Sequence, residues 1–385
     1  MRLSTASRLS PYLVAGLISV LQLRDVRAEN SLDYQYAKYV DFGGRIGVET
    51  QSALINQDFG TDMHFKLGGV VDTIAGATPT GLPAAPGSNQ VDLAMMHDRR
   101  HAWNADFSRQ FTDLNVDLGI SRSIEHDYMS NGWAVNTLWD FNQKNTTLLL
   151  GTSGSDDTAK VFFKTAWLRK VSNDVIVGVT QLIDPQTSFT ANITWSRETG
   201  FLNDQYKVVQ LDVQLLPGVY VPLEYSESRP NEKTKGDLYL SLHHAILKFK
   251  GAAEINYRLY HDSFNITSNT LEMLWFQKVG DKLILRPNFR FYNQTAASFY
   301  HYQMDGVGIT PTRIPNPNGP FYSSDARLSA LNSYDFGFKV VYNATDHLQL
   351  YTSIDGYKQR GTDNVTSQSA YYRARTVTLG SKITW

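Results

Sequence analysis

The chain has no cysteine among its 385 residues, which excludes disulfide staples, thiolate metal sites and cysteine nucleophiles. Beyond the N-terminal stretch it also lacks any apolar run long enough to cross a bilayer as a helix, and its mean hydropathy is −0.32. A charge excess is missing as well: 36 Lys and Arg stand against 37 Asp and Glu. Residues 1–28 hold four Arg and one Asp, so the remainder carries a net −4. That balance is not the footprint of a nucleic-acid binder. GxSxG, HExxH and calcium-loop spacings are all absent.

Aromatic residues and two-residue periodicity are what the chain does have. Its last fifteen residues read YYRARTVTLGSKITW. Val377, Leu379, Ile383 and Trp385 fall on one face of an extended strand, and Thr376, Thr378, Lys382 and Thr384 on the other. An alternating final strand ending on an aromatic residue is what bacterial outer-membrane barrels present to the barrel-assembly machinery, and it closes such a barrel against the first strand. The other end agrees. Arg2 and Arg8 precede an apolar segment from Ser10 to Leu23, too short to span as a helix, and Val26-Arg27-Ala28 offers small residues for cleavage. An export signal over residues 1–28, cleaved near Ala28, and a single barrel domain over 29–385 are expected.

Segments of about ten residues with period two recur throughout. The cleanest sets Leu114, Val116, Leu118, Ile120 and Ile124 against Asn115, Asp117, Gly119, Ser121, Ser123 and Glu125. About eighteen such segments can be placed, among them Lys160 to Val171 and Tyr206 to Val213, with sixteen as the alternative count. An even number puts both termini on the periplasmic side. Tight turns are expected at Gln57–Gly60, Gln110–Asp113, Asn142–Asn145, Val171–Asn173, Thr199–Asn203, Lys248–Lys250, Lys278–Asp281 and Asn343–His347. Long loops fall between them, at Ala75–Asp98, Ser153–Ala159, Leu215–Gly236, Gln294–Asn332 and Lys358–Ala370. Short turns inside and long loops outside are the outer-membrane arrangement, so the fold class is an all-β, antiparallel transmembrane β-barrel.

The stretches DTIAGATPTG (Asp72 to Gly81), DFNQKNTTLLLG (Asp140 to Gly151), RPNFRFYNQTAASFY (Arg286 to Tyr300) and ARLSALNSYDFGFKV (Ala326 to Val340) resemble the bacterial domain-of-unknown-function family 3570. The resemblance runs over essentially the whole mature chain. It implies an outer-membrane barrel and names no substrate or cofactor.

A barrel of this size is wide enough for a water-filled lumen. The inward faces are expected to carry Arg100, Asp106, Asp117, Glu125, Glu198, Asp212, Glu254, Arg258, Arg286, Arg290, Lys339 and Asp355. Charges of both signs across a lumen sort solutes by field. Two Pro/Gly-rich loops, Ala75–Gln90 and Asp305–Ser324, are candidates for a constriction or a surface over the mouth, with Arg313, Pro315 and Pro317 in the second. Trp133, Trp195, Trp275 and Trp385 are candidates for the aromatic girdle against lipid and lipopolysaccharide. His97, Asp98 and His101 form the densest titratable cluster, but no nucleophile–base–acid spacing accompanies them, and His243 and His244 point to opposite faces of a strand. The reading is therefore not an enzyme but a porin-like channel for small polar solutes, without metal or cofactor. A non-conducting barrel that docks partners, some of them periplasmic, is the alternative, and an outer-membrane hydrolase comes third.

Overall fold

The computed structural model describes residues 30–385 apart from residues 86, 161–165 and 205. The expected export signal, residues 1–28, lies outside the described residues, as does part of the expected strand Lys160 to Val171. The first nine strands are β1 (Ser31–Asp41), β2 (Ile46–Phe59), β3 (Met63–Pro79), β4 (Leu93–Gln110), β5 (Leu114–Ile124), β6 (Tyr128–Phe141), β7 (Thr146–Lys160), β8 (Trp167–Asp184) and β9 (Thr187–Gly200). A hairpin follows, β10 (Val208–Leu216) and β11 (Val219–Ser226). Then come β12 (Glu232–Ile246), β13 (Gly251–Asp262), β14 (Thr267–Val279), β15 (Leu283–Gln294), β16 (Leu331–Asn343), β17 (Leu348–Gly361) and β18 (Arg373–Thr384).

All but the hairpin form one closed antiparallel barrel, in chain order around the ring. The ring shuts where β1 pairs with β18, from Ser31 opposite Thr384 to Asp41 opposite Ala374. β9 pairs directly with β12, so the hairpin between them is left out of the wall. Among the described residues eighteen strands are therefore present and sixteen build the barrel, the smaller of the two expected counts.

Alternation decides the faces. On β5, Asn115 and Asp117 line the interior, as does Glu125 just beyond its end, while Leu118 and Ile120 are exposed on the outside. Val175, Val177, Ile193, Phe336 and Leu379 continue this outer apolar band, with Ile193 at 63% exposure. A continuous exposed band of that kind fits a hydrocarbon environment. Trp133 and Trp195 sit on the outer face in the extracellular halves of β6 and β9, and Trp385 follows β18 at the periplasmic end. Trp275 is half-buried near the periplasmic end of β14, its indole N–H donating to Gln277 Oε1 at 3.2 Å.

Four sequence expectations shift. β8 runs straight through Val171–Asn173, and the chain turns instead at Pro185–Gln186. There the Asp184 carboxylate accepts from the Gln186 N–H at 2.7 Å and the Thr187 hydroxyl at 2.8 Å, while Val171–Asn173 pairs along its length with β7 and β9. Thr199–Asn203 consequently lies at the extracellular end, and Ser153–Ala159 is strand rather than loop. Tyr206 to Val213 joins the hairpin because Val208–Leu216 finds its backbone partners locally on Val219–Ser226.

On the inner wall, glycines face asparagines across adjacent strands, Gly68 with Asn104, Gly151 with Asn136 and Gly178 with Asn192. A Cβ on any of the three would come within 2.3 Å of the asparagine Oδ1, so the amide occupies the space the missing side chain leaves.

The facing directions predict an asymmetric response to charge. Ile193→Arg, on the lipid face of β9, should lower stability in vesicles by about 2–4 kcal/mol, whereas Thr194→Arg, on the lumen face, should cost under about 1 kcal/mol. Urea unfolding of the lipid-refolded barrel followed by tryptophan emission measures both, and equal costs would contradict the assigned faces.

Candidate functional site

The inner wall encloses a cavity of about 2130 Å³ that reaches from the periplasmic rim, at Asp58, Lys250 and Lys382, to a ceiling made by Asp204, Lys207, Arg229, Asp325 and Arg327. Much of the wall's charge is neutralised locally. Arg258 pairs with Asp237 at 2.6 Å, Lys235 with Glu198 at 2.8 Å, Lys233 with Asp262 at 2.7 Å and Arg100 with Asp72 at 2.5 Å. The rest is distributed by sector. Asp106, Asp117, Asp140 and Asp174 make β4–β8 acidic, whereas Lys278, Arg286, Arg290 and Lys339 make β14–β16 predominantly basic.

Of the residues expected inside, Asp117, Glu125, Glu198, Glu254, Arg258, Arg286, Arg290 and Lys339 line the cavity. Arg100, Asp106 and Asp355 share their faces through the alternation of β4 and β17. Asp212 does not. It lies on the hairpin, its backbone N–H donating to Asp305 Oδ1 at 3.0 Å, because β10 pairs with β11 instead of joining the wall. Arg313 and Pro317 are exposed and Pro315 half-buried at the outer tip of the β15–β16 loop, away from the lumen. The base of that loop is anchored on the hairpin, since Met304 and Tyr322 are buried against Val209 of β10.

The extracellular mouth is spanned by a cap that sequence reading did not identify. Three acids (Asp204, Glu227, Asp325) and three bases (Lys207, Arg229, Arg327) converge from the β9–β12 and β15–β16 connections. Arg327 Nε donates to Asp325 Oδ1 at 2.9 Å, and its Nη2 reaches Asp204 Oδ2 at 2.5 Å. Arg229 Nη2 bridges Glu227 Oε2 at 2.9 Å and Asp325 Oδ2 at 2.8 Å. Lys207 Nζ donates to the carbonyl of Pro79 and to Thr78 Oγ1, and the Val208 N–H donates to Thr80 O at 3.0 Å, tying this connection to the far wall at β3. Arg45 reaches the β17–β18 loop, donating to Tyr371 O at 2.8 Å.

Burial sets the protonation of the cap. It pushes the Glu227 carboxyl up and the Lys207 ammonium down. Burial pushes Asp204 and Asp325 upward too, but Arg327 and the neighbouring Lys207 overrule it and hold both below the usual carboxylate range. Single residues in loops rich in Pro, Gly and Asn gave no sign of this, because partners such as Asp204 and Arg327 are 123 positions apart.

Two other clusters were tested for chemistry. Asp98, Glu125 and Asp127 each bring one carboxylate oxygen within 4.8 Å of the others, an arrangement common on surfaces without an ion. Ser241, His243 and Glu254 stand in nucleophile–base–acid order, with Ser241 Oγ 3.0 Å from His243 Nε2 and His243 Nδ1 3.6 Å from Glu254. The Ser241 hydroxyl, however, donates to Asn256 Oδ1 at 2.6 Å, so His243 Nε2 faces the oxygen as a donor rather than as a base. Ser241 is also 1% exposed. His97 and His101 lie exposed on the outer face of β4. His244 points outward to Thr187 while His243 faces the lumen, the opposition expected on a strand.

The family model described as "Protein of unknown function (DUF3570)" matches residues 6–381. The chain belongs to this family. No curated protein matches it. Among solved structures, a "Bacterial polysaccharide outer membrane secretin" is similar with a TM-score of 0.50 at 7% identity, covering 94% of this chain and 100% of that one. Pseudomonas aeruginosa OccK2 (OpdF) gives 0.44 at 9% identity, covering 93% and 98%. The CymD monoaromatic hydrocarbon channel gives 0.43 at 8% identity, covering 93% and 88%. The first of these likenesses concerns the fold of this DUF3570 member alone.

Arg327→Gln should loosen the cap, because it leaves Asp204 and Asp325 buried with one cationic partner fewer, a loss of about 3 kcal/mol or more. Hydrogen exchange over residues 321–329 should then rise while exchange in β12–β15 stays unchanged. The pH response follows from the shifts. The contribution of Asp204 and Asp325 is complete above about pH 4 and is lost only as pH falls through their depressed values, while protonating Glu227 removes a buried charge. Lys207 acts in the opposite sense at higher pH, because its buried ammonium gives up its proton more readily than a free one, so the carboxylates are read just above their own range. After correction for intrinsic rates, cap exchange should be no faster at pH 5 than at pH 6. A cap that loosens between those values would contradict the assignment.

Proposed function

We propose that the chain is a porin-like channel of the bacterial outer membrane for small polar solutes, with the extracellular cap as its gate. The observation that carries this reading is the lumen itself, a cavity of about 2130 Å³ lined by charges of both signs from the periplasmic rim to the underside of the cap. A structural barrel has no need of an uncollapsed charged interior, since a narrower one fills with side chains. An acidic sector facing a basic one sets up a transverse field, which favours polar solutes that orient across it. In this reading the outer band contacts lipid and lipopolysaccharide, and β18 is the segment offered to the barrel-assembly machinery.

The cap favours a second reading. Its charged groups are buried among each other, with Glu227 at 1% and Asp325 at 2% exposure, as in a permanently closed top that presents loops to a partner. Single-channel recording in planar bilayers separates the two. The channel reading expects brief, infrequent openings from the native chain and an open probability at least about tenfold higher for Arg327→Gln, given about 1.4 kcal/mol per tenfold. Silence from both, with the variant's cap shown to be loosened by hydrogen exchange, would sink the channel and leave the partner-binding barrel.

A further inference from the structure

Strand register places Arg286 of β15 directly opposite Lys339 of β16, both facing the lumen. Like charges directly across a strand pair destabilise it unless something offsets them. Elsewhere on this wall an acid stands beside the cation. Arg290, on the same strand, is flanked in register by Glu272 on β14 and Asp335 on β16, and Lys382 of β18 faces Asp33 of β1.

Arg286 and Lys339 have no such neighbour. The other register partner of Lys339 is Ser353, and the place beside Arg286 on β14 is held by Phe276. Lys339 Nζ rests on the ring of Tyr351, 4.0 Å from its centroid, and the Arg286 guanidinium lies 5.9 Å from the Phe276 ring. The acids whose field reaches Lys339, Asp355 and Asp33, make no ion pair with it and hydrogen-bond instead to hydroxyls, Asp355 accepting from Ser353 Oγ at 3.0 Å and Asp33 from the Tyr351 hydroxyl at 2.6 Å. Among the described residues neither cation has an ion pair with a carboxylate, and Arg286 Nε is buried without a hydrogen-bond partner.

We infer that Arg286 and Lys339 form a binding site for a small organic carboxylate entering the lumen. The carboxylate supplies the charge that the register withholds, accepting from the guanidinium and the ammonium together. Its organic body has an apolar surface ready for it, because Leu274, Phe276 and Ile284 line the cavity on the same side. A fully hydrated inorganic anion uses the cations but not that surface. The inference deepens the channel reading and rests on it for the solute's passage, but binding itself does not require flow.

The test is equilibrium titration of the refolded full-length protein in micelles with benzoate, with benzyl alcohol and inorganic phosphate alongside. Native protein should bind benzoate; benzyl alcohol, which loses the charge-assisted contact, and phosphate, which leaves the apolar surface uncovered, should each bind at least about tenfold more weakly. Arg286→Gln and Lys339→Gln should each weaken benzoate about tenfold or more, whereas Lys66→Gln, which removes a lumen cation on β3 beside the acidic sector, should leave it unchanged. Heat-modified gel mobility confirms that every variant is folded. No benzoate binding to folded native protein, equal binding by both site variants, or phosphate binding as tight as benzoate would each overturn the assignment. Conductance recorded on the same samples keeps the two ideas apart. Binding without openings sinks the channel and spares the site, and openings without benzoate binding do the reverse.

Discussion

A backbone amide inside hydrocarbon has no water to bond, so every N–H and C=O of a membrane-crossing segment must find its partner within the protein. The pairing of β1 with β18 meets that demand for the two strands that would otherwise be edges, and the rest of the molecule depends on it. Once the ring is closed, alternation along each strand has two different solvents to satisfy. The outer positions take Leu, Ile, Val and Phe, and the inner ones can be Asp, Lys, Asn and Gly without cost to the ladder. The inner face is thereby free to carry recognition.

The lumen and the cap handle charge in different ways. On most of the wall, cations and acids meet across strands in partial contact with water, where such pairs contribute little individually. In the cap the same chemistry is buried, and its cost is offset because Arg229 and Arg327 bridge the three acids while Lys207 donates to Thr78 and Pro79. This makes the cap all-or-none. Remove Arg327 and Asp204 loses its hydrogen-bonded cation while Asp325 keeps only Arg229, and neither gains water in exchange. The Arg286–Lys339 pair is the converse case, charge left without an internal counterpart on a wall where counterparts are plentiful.

The barrel was legible in the sequence because alternation is local. A stretch such as Leu114 to Glu125 states its two faces without reference to anything distant, and most wall residues fell where parity put them. Strand ends were harder, since Ser153–Ala159 looks like a loop by composition yet pairs with Trp167–Ser172 through most of its length. Asp212 was misplaced for a related reason. Alternation shows that a segment is a strand but not which strand it pairs with. The cap was invisible because Asp204, Glu227 and Asp325 are ordinary loop residues until three-dimensional closure brings Arg229 and Arg327 to them.

The cap's connectivity also fixes an order of events. Its groups come from the connection between β9 and β12, the connection between β15 and β16, and the end of β3, segments that approach one another only when the walls carrying them already stand in the ring. Until they do, the six charged side chains have no buried partners and stay hydrated. The cap can therefore close only over a wall that already holds β3, β9, β12, β15 and β16 in their places, so an intact cap is a record of their arrangement.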